Sequence, residues 1–197
     1  MEKQAIQDYL KRLSDACPEI SEAELDFVRE NVQVIQLKKK AFFQCEGKIQ
    51  PHLGFLNKGL IRSFYSNSNG DETTTGFIQE GEYAVHYETF SNQLPSKYTF
   101  VCLEPCTIIL LPYDQLTTGI KHYENLERYA RIFKENVVMQ QEKRIQSLLN
   151  QNAEERYLRF MEKHPALLQR ISLTHLSSYL GLGRQTLSRI RNKIVRV

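Results

Sequence analysis

The chain has 197 residues, 41% of them hydrophobic and 25% charged, a balance that gives length for one large or two small globular domains and excludes disorder throughout. Its net charge of +3 conceals an asymmetry: residues 163–197 hold seven Lys or Arg and no Asp or Glu, while the remainder sums to −4, which points to a polyanionic partner. The longest apolar stretch, around residues 108–111, falls far short of the roughly 20 residues of a membrane span, and Met1-Glu2-Lys3-Gln4 leads into a polar helix, so a cytoplasmic protein with no membrane partner is expected.

Residues 3–31 read as two short helices separated by Pro18. Ile6, Leu10 and Leu13 recur at helical spacing, and Ser21-Glu22-Ala23-Glu24 is a capping box that opens the second helix. From residue 32 to 113 the period changes to short β runs, at 32–37, 54–57, 60–65, 73–78, 98–103 and 107–111. Asn57-Lys58-Gly59 and Asn67-Ser68-Asn69-Gly70-Asp71 supply the positive φ positions that hairpins need, so this region predicts an antiparallel sandwich or jelly roll of about 80 residues. Lys38-Lys39-Lys40 reads as a solvated strand edge. Cys17, Cys45, Cys102 and Cys106 form no close CxxC pair and read as reduced packing residues.

After Asp114 the chain turns helical. Residues 124–150 contain no Gly or Pro, room for a helix of about 40 Å at 1.5 Å per residue. Leu126, Ala130, Phe133, Val137 and Leu148 form a stripe interrupted by Gln140 and Arg144, which suits either packing on the chain's own sheet or a seam between identical subunits. Ile132, Met139 and Ile145 add apolar faces that a monomer would leave wet, so a homodimer through residues 124–150 is expected. A further helix is predicted at 153–162, with Pro165 just beyond it.

The most informative segment is 172–196. Leu173, Leu176 and Leu180 mark the inner face of a short helix, Gly181 breaks it, and a second helix begins at Arg184. There Leu187, Ile190 and Ile194 make one narrow apolar stripe, Gln185, Ser188, Arg189, Asn192 and Arg196 gather opposite, and Arg184, Arg191 and Lys193 flank them. Small Ser177 sits where the first helix must let the second approach. This is the pattern of a helix-turn-helix. Arg forks onto guanine O6 and N7 and Gln pairs with adenine N6 and N7, each good contact contributing about 1–3 kcal/mol of discrimination; Arg184, Gln185 and Arg189 therefore read as base contacts, and Arg191, Lys193 and Arg196 as phosphate contacts.

With these parts in view the chain resembles the Crp/Fnr transcriptional regulators. The resemblance rests on Gly54-Phe55-Leu56-Asn57-Lys58-Gly59-Leu60-Ile61-Arg62, on Gly81-Glu82, on the long helix, and most specifically on Tyr179-Leu180-Gly181-Leu182-Gly183-Arg184-Gln185-Thr186-Leu187-Ser188-Arg189-Ile190-Arg191. It implies an α+β fold: a cyclic-nucleotide-binding-like β-roll sensor with flanking helices over 1–118, a dimerisation helix over 119–150 and a helix-turn-helix over 151–197. It also implies an operator of double-stranded DNA and RNA polymerase as a further partner. Gln185 stands where cyclic-AMP-type members usually have Glu, so a different half-site is expected. Gly183 replaces the common Ser or Thr cap, at a cost of a few tenths of a kcal/mol. The family's β wing is expected to be reduced or absent.

By the same resemblance the effector pocket would involve Gly81, Glu82, Tyr83, Ser96 and Lys97. Ser96 or Lys97 falls where the family's phosphate-gripping Arg belongs, and Lys lacks the planar fork that grips phosphate; weak or no cyclic AMP binding is predicted, with no certain cofactor and an unidentified small-molecule effector. Cys17 and Cys45 are too isolated for an iron–sulfur cluster. A cupin-like enzyme is disfavoured because His52, His86, His122, His164 and His175 form no His-x-His pair, and no Ser-His-Asp, P-loop or dinucleotide fingerprint is present, so neither catalysis nor a metal site is expected. A sensor module acting through protein partners is the alternative reading, and it leaves the Gly181 motif unexplained.

Overall fold

A computed structural model describes residues 2–195. Helix α1 (Glu2–Ala16) buries Ala5, Tyr9, Leu10 and Leu13 on one face. Helix α2 (Glu22–Asn31) opens on the expected reciprocal box between Ser21 and Glu24. The buried Glu24 carboxylate also accepts from the backbone N–H and side-chain amide of Asn125, at 3.0 and 3.1 Å. Burial by itself would raise this carboxyl, but the hydrogen bonds from Ser21 and Asn125 hold it below its ordinary value.

The β region closes as two four-stranded antiparallel sheets. Sheet A runs β1 (Gln33–Leu37), β8 (Cys106–Pro112), β3 (His52–Lys58), β6 (Tyr83–Ala84); sheet B runs β2 (Phe42–Gln44), β7 (Thr99–Cys102), β4 (Ile61–Ser66), β5 (Glu72–Ile78). Between them Leu56, Ile61, Ile78, Phe100, Ile108 and Leu110 form the roll's core. The central strands of sheet A are covered on both faces: Leu53, Phe55, Ile109 and Leu111 point away from the roll and pack under helices. That double burial is why β3 and β8 read as continuous apolar runs instead of alternating ones. Phe43 caps the pleat so closely that any side chain at Gly54 would collide with its ring.

Two β elements, β2 and β6, and the one-turn helix α3 (Tyr87–Ser91) were not anticipated; each spans five residues or fewer. Lys38-Lys39-Lys40 is also corrected. It is an exposed turn between β1 and β2, with Lys40 at φ 71°, and not a strand edge.

Helix α4 (Tyr113–His122) leads into α5 (Glu124–Asn150), then α6 (Ala153–Lys163), a 3-10 turn at Pro165–Gln169, α7 (Leu173–Leu180) and α8 (Arg184–Val195). The anticipated stripe of α5 is corrected in part. Leu126 is buried in the chain's own core and Phe133 stacks edge-on against Tyr83, ring centres 4.8 Å apart, so this face belongs to sheet A. The apolar side chains left open on α5 are Val138, Met139, Ile145, Leu148 and Leu149, with Leu149 77% exposed.

The C-terminal helices are docked on sheet B. Leu60, Phe77 and Leu103 of the roll share one apolar cluster with Tyr157, Leu176 and Leu187. Arg170 clamps the seam: its guanidinium donates to both carboxylates Glu80 and Glu104, at 2.7–3.0 Å, and to the Gly59 carbonyl at 2.9 Å. Ser178 Oγ accepts from the Thr74 N–H at 2.9 Å and donates to the Glu72 carbonyl at 3.2 Å.

Candidate functional site

The helix-turn-helix is built from local chemistry. Ser172 accepts from the His175 N–H and starts α7. Gly181 ends it at φ 65°, a left-handed position where a Cβ is disfavoured, and Leu182 N–H returns to the Ser177 carbonyl at 2.9 Å. From α6, Arg156 donates to the Leu180 carbonyl at 3.0 Å and fixes the turn from outside. Ser177 is buried and small, as the close approach of α7 and α8 requires. Leu187 is fully buried and Ile190 nearly so, against Tyr157, Phe160, Leu176 and Leu180.

The opposite face of α8 is open. Arg184, Gln185, Arg189, Arg191, Asn192 and Lys193 are exposed and Ser188 is half-buried; Arg196 lies outside the described residues. Lys193 donates to the Glu154 carboxylate at 2.8 and 3.0 Å. Of the described cations in the basic segment, Arg170 and Lys193 are the two held by carboxylates, which leaves Lys163 on α6 and, on α8, the exposed Arg184, Arg189 and Arg191. The geometry therefore presents Arg, Gln and Arg donors along one helix with an apolar back, a shape suited to anionic grooves.

Each of the five sequence-predicted effector residues makes its own local engagement. At Gly81, φ 92°, the Arg12 guanidinium occupies the place a side chain would take. Glu82 accepts from the Gln79 N–H at 2.8 Å in an exposed turn. Tyr83 points toward α1 and α5, bonding the hydroxyls of Tyr9 and Tyr129, each at 3.1 Å. Ser96 is buried and closes a local turn with Tyr98, and Lys97 is exposed, 3.8 Å from Glu88. Just before α3, His86 stacks on Tyr98 with ring centres 4.1 Å apart. Burial, assisted by the Lys97 charge, holds the His86 imidazole below its ordinary pKa.

A second feature was not legible in the sequence. A cavity of about 340 Å³ lies between the outer face of sheet A and α1, α4 and α5, lined chiefly by aliphatic and aromatic side chains. Its residues come from six separated segments, so no contiguous motif marks it.

Residues 28–123 match the family model of the cyclic nucleotide-binding domain. No curated protein sequence matches significantly. Among solved structures the chain is similar to FixK2 from Bradyrhizobium japonicum, with TM-score 0.74 and 15% identity over 84% of this chain and 85% of that one. It is also similar to CLP of Xanthomonas campestris, described as a c-di-GMP-responsive global regulator, with TM-score 0.70 and 13% identity over 89% and 92%. A regulator from Eubacterium rectale assigned to the Crp/Fnr family aligns with TM-score 0.71 and 13% identity over 91% and 86%. Identities this low establish a shared fold. No helix among the described residues is long and apolar enough to cross a membrane.

Proposed function

From a chain that carries a cyclic nucleotide-binding domain and is folded as the Crp/Fnr transcriptional regulators are, we propose a homodimeric, cytoplasmic regulator that binds a specific DNA operator. The observation that carries this reading is the two-faced α8: Leu187 and Ile190 anchor it, while the adjacent Arg184 and Gln185 and, one turn on, Arg189 stand exposed on its outer side. In this reading Arg184, Gln185 and Arg189 meet base edges. Ser188, Arg191, Asn192 and Lys193 position the helix, Lys193 exchanging Glu154 for a phosphate. The working division is a sensor over 1–118, a dimer helix over 119–150 and a DNA-binding unit over 151–197.

The exposed Val138, Ile145 and Leu149 support dimerisation, since they recur at seven- and four-residue spacing along one side of α5. Two recognition helices related by a two-fold axis would then lie about 34 Å apart, one turn of DNA, and RNA polymerase is the partner such a dimer would engage. Ile145→Asp should convert a sedimenting dimer to monomer; a parent chain that sediments as a monomer would remove this element.

Selection from a random oligonucleotide pool tests DNA recognition. The expected product is a palindrome whose affinity falls steeply with salt, about 0.9 in the logarithmic slope per phosphate neutralised. Recovery of no shared palindrome, or a flat salt response, would overturn the reading. Cyclic AMP is expected to bind weakly or not at all, supported by the local engagements of Ser96 and Lys97; micromolar calorimetric affinity would refute this.

A further inference from the structure

We propose that the cavity beneath α5 binds a small apolar monocarboxylic acid, which serves as the effector of the regulator proposed above and so rests on that reading for its role. The void of about 340 Å³ falls at the lower end of the roughly 300–1,000 Å³ typical of small-molecule sites. Leu53, Val85, Phe90, Leu111, Leu126 and Phe133 supply its apolar walls. The cavity opens to solvent and its walls are mostly apolar, so an occupant that takes those walls out of water is favoured if it is itself apolar.

Two features select an acid. Lys121 and Lys134 are among the lining residues and no Asp or Glu is; both lysines are exposed, which places their ammonium groups at the rim. Lys134 Nζ stands 5.8 Å from the ring centre of Tyr87, another lining residue. The second feature is the series Tyr9, Tyr83, Tyr129, three lining residues whose hydroxyls are linked at 3.1 Å each. Three hydroxyls carry three protons and two links use two, so one O–H remains to donate to an acceptor oxygen. Burial raises all three phenols above their ordinary range, so the series stays neutral and presents no negative charge to an acid.

The site is also placed to be heard. Leu126, Tyr129, Ala130 and Phe133 make α5 one wall of the cavity, and the same helix continues into the exposed Val138, Ile145 and Leu149. An occupant favouring one position of α5 thereby favours one arrangement of the helices beyond it.

Calorimetric titration of the full chain with decanoate tests the proposal. One equivalent per chain is expected, with decylamine bound about tenfold or more weakly. Ala130→Phe, which fills the cavity from α5, should abolish this binding, and Val85→Phe repeats the blockage from the segment that follows β6 if the first variant does not fold. Lys134→Glu should weaken decanoate about tenfold and leave decanol unchanged. No saturable binding below about 1 mM, equal affinity for decanoate and decylamine, or folded filled variants that bind like the parent would each overturn the site. Acid binding without a DNA palindrome would sink the regulator reading and keep the pocket; a palindrome without acid binding would do the reverse.

Discussion

In α8, Leu187 is buried and Arg189, two residues on, is exposed; between the start of β6 and the start of β7, Tyr83 turns toward α5 while Lys97 turns out toward Glu88. The first arrangement follows from a helical period, because residues two apart on a helix lie on different faces whatever surrounds them. The second depends on strands and turns from distant parts of the chain, each of which can redirect a side chain. A motif carried by one helix therefore survives folding intact, and a motif that needs convergence is decided by the fold. The proposed DNA-reading face is accordingly most legible in the sequence of the C-terminal end.

The largest expected effect separates the two faces of α8. Leu187→Ala should destabilise the C-terminal unit by about 2–5 kcal/mol, as for other large-to-small changes at fully buried sites, read by denaturant unfolding. Arg189→Ala should leave stability within about 0.5 kcal/mol and relax discrimination at one base pair by about 1–3 kcal/mol, read on the selected operator. If Arg189→Ala instead unfolds the unit, the face assigned to DNA is structural.

A smaller effect is expected at the seam between the two regions. Arg170→Met removes donors to Glu80, Glu104 and the Gly59 carbonyl; with the partners about a third exposed, about 1–2 kcal/mol of stability should go. Hydrogen bonding by Arg170 holds the Glu104 carboxyl below its ordinary value, and for Glu80 it does so against the opposing pull of burial. A depressed folded pKa contributes stability above the unfolded value near pH 4.3 and loses it as pH falls through the folded value. The gap in stability between parent and Arg170→Met should therefore be constant near neutrality and close below about pH 4. A gap that persists unchanged at pH 3 would assign the effect to packing.

Much of the scaffold was legible because its signals are local. The Ser21–Glu24 box, the six longer strands, the uninterrupted α5 and the Gly181 turn each declare themselves within a few residues. β2, β6 and α3 escaped because they are too short to establish a period. The seam residues Leu60 and Leu103 looked like ordinary roll positions, since nothing near them in sequence shows that Leu176 and Leu187 will cover them. The Lys38-Lys39-Lys40 run stands out by its charge, and charge marks exposure without distinguishing a turn from an edge.

By itself the sequence determined the helical faces, the glycine turn, the concentration of positive charge near the C-terminus and the alternation from roll to long helix. Each of these is a matter of neighbours within one or two turns of chain. Tertiary structure decided which side of α5 is left free, where Tyr83, Ser96 and Lys97 are directed, how Arg170 ties the helix-turn-helix to the roll, and that a cavity remains beneath α5. These depend on surfaces brought together from segments tens of residues apart, where close packing permits one arrangement and short-range pattern carries no record of it.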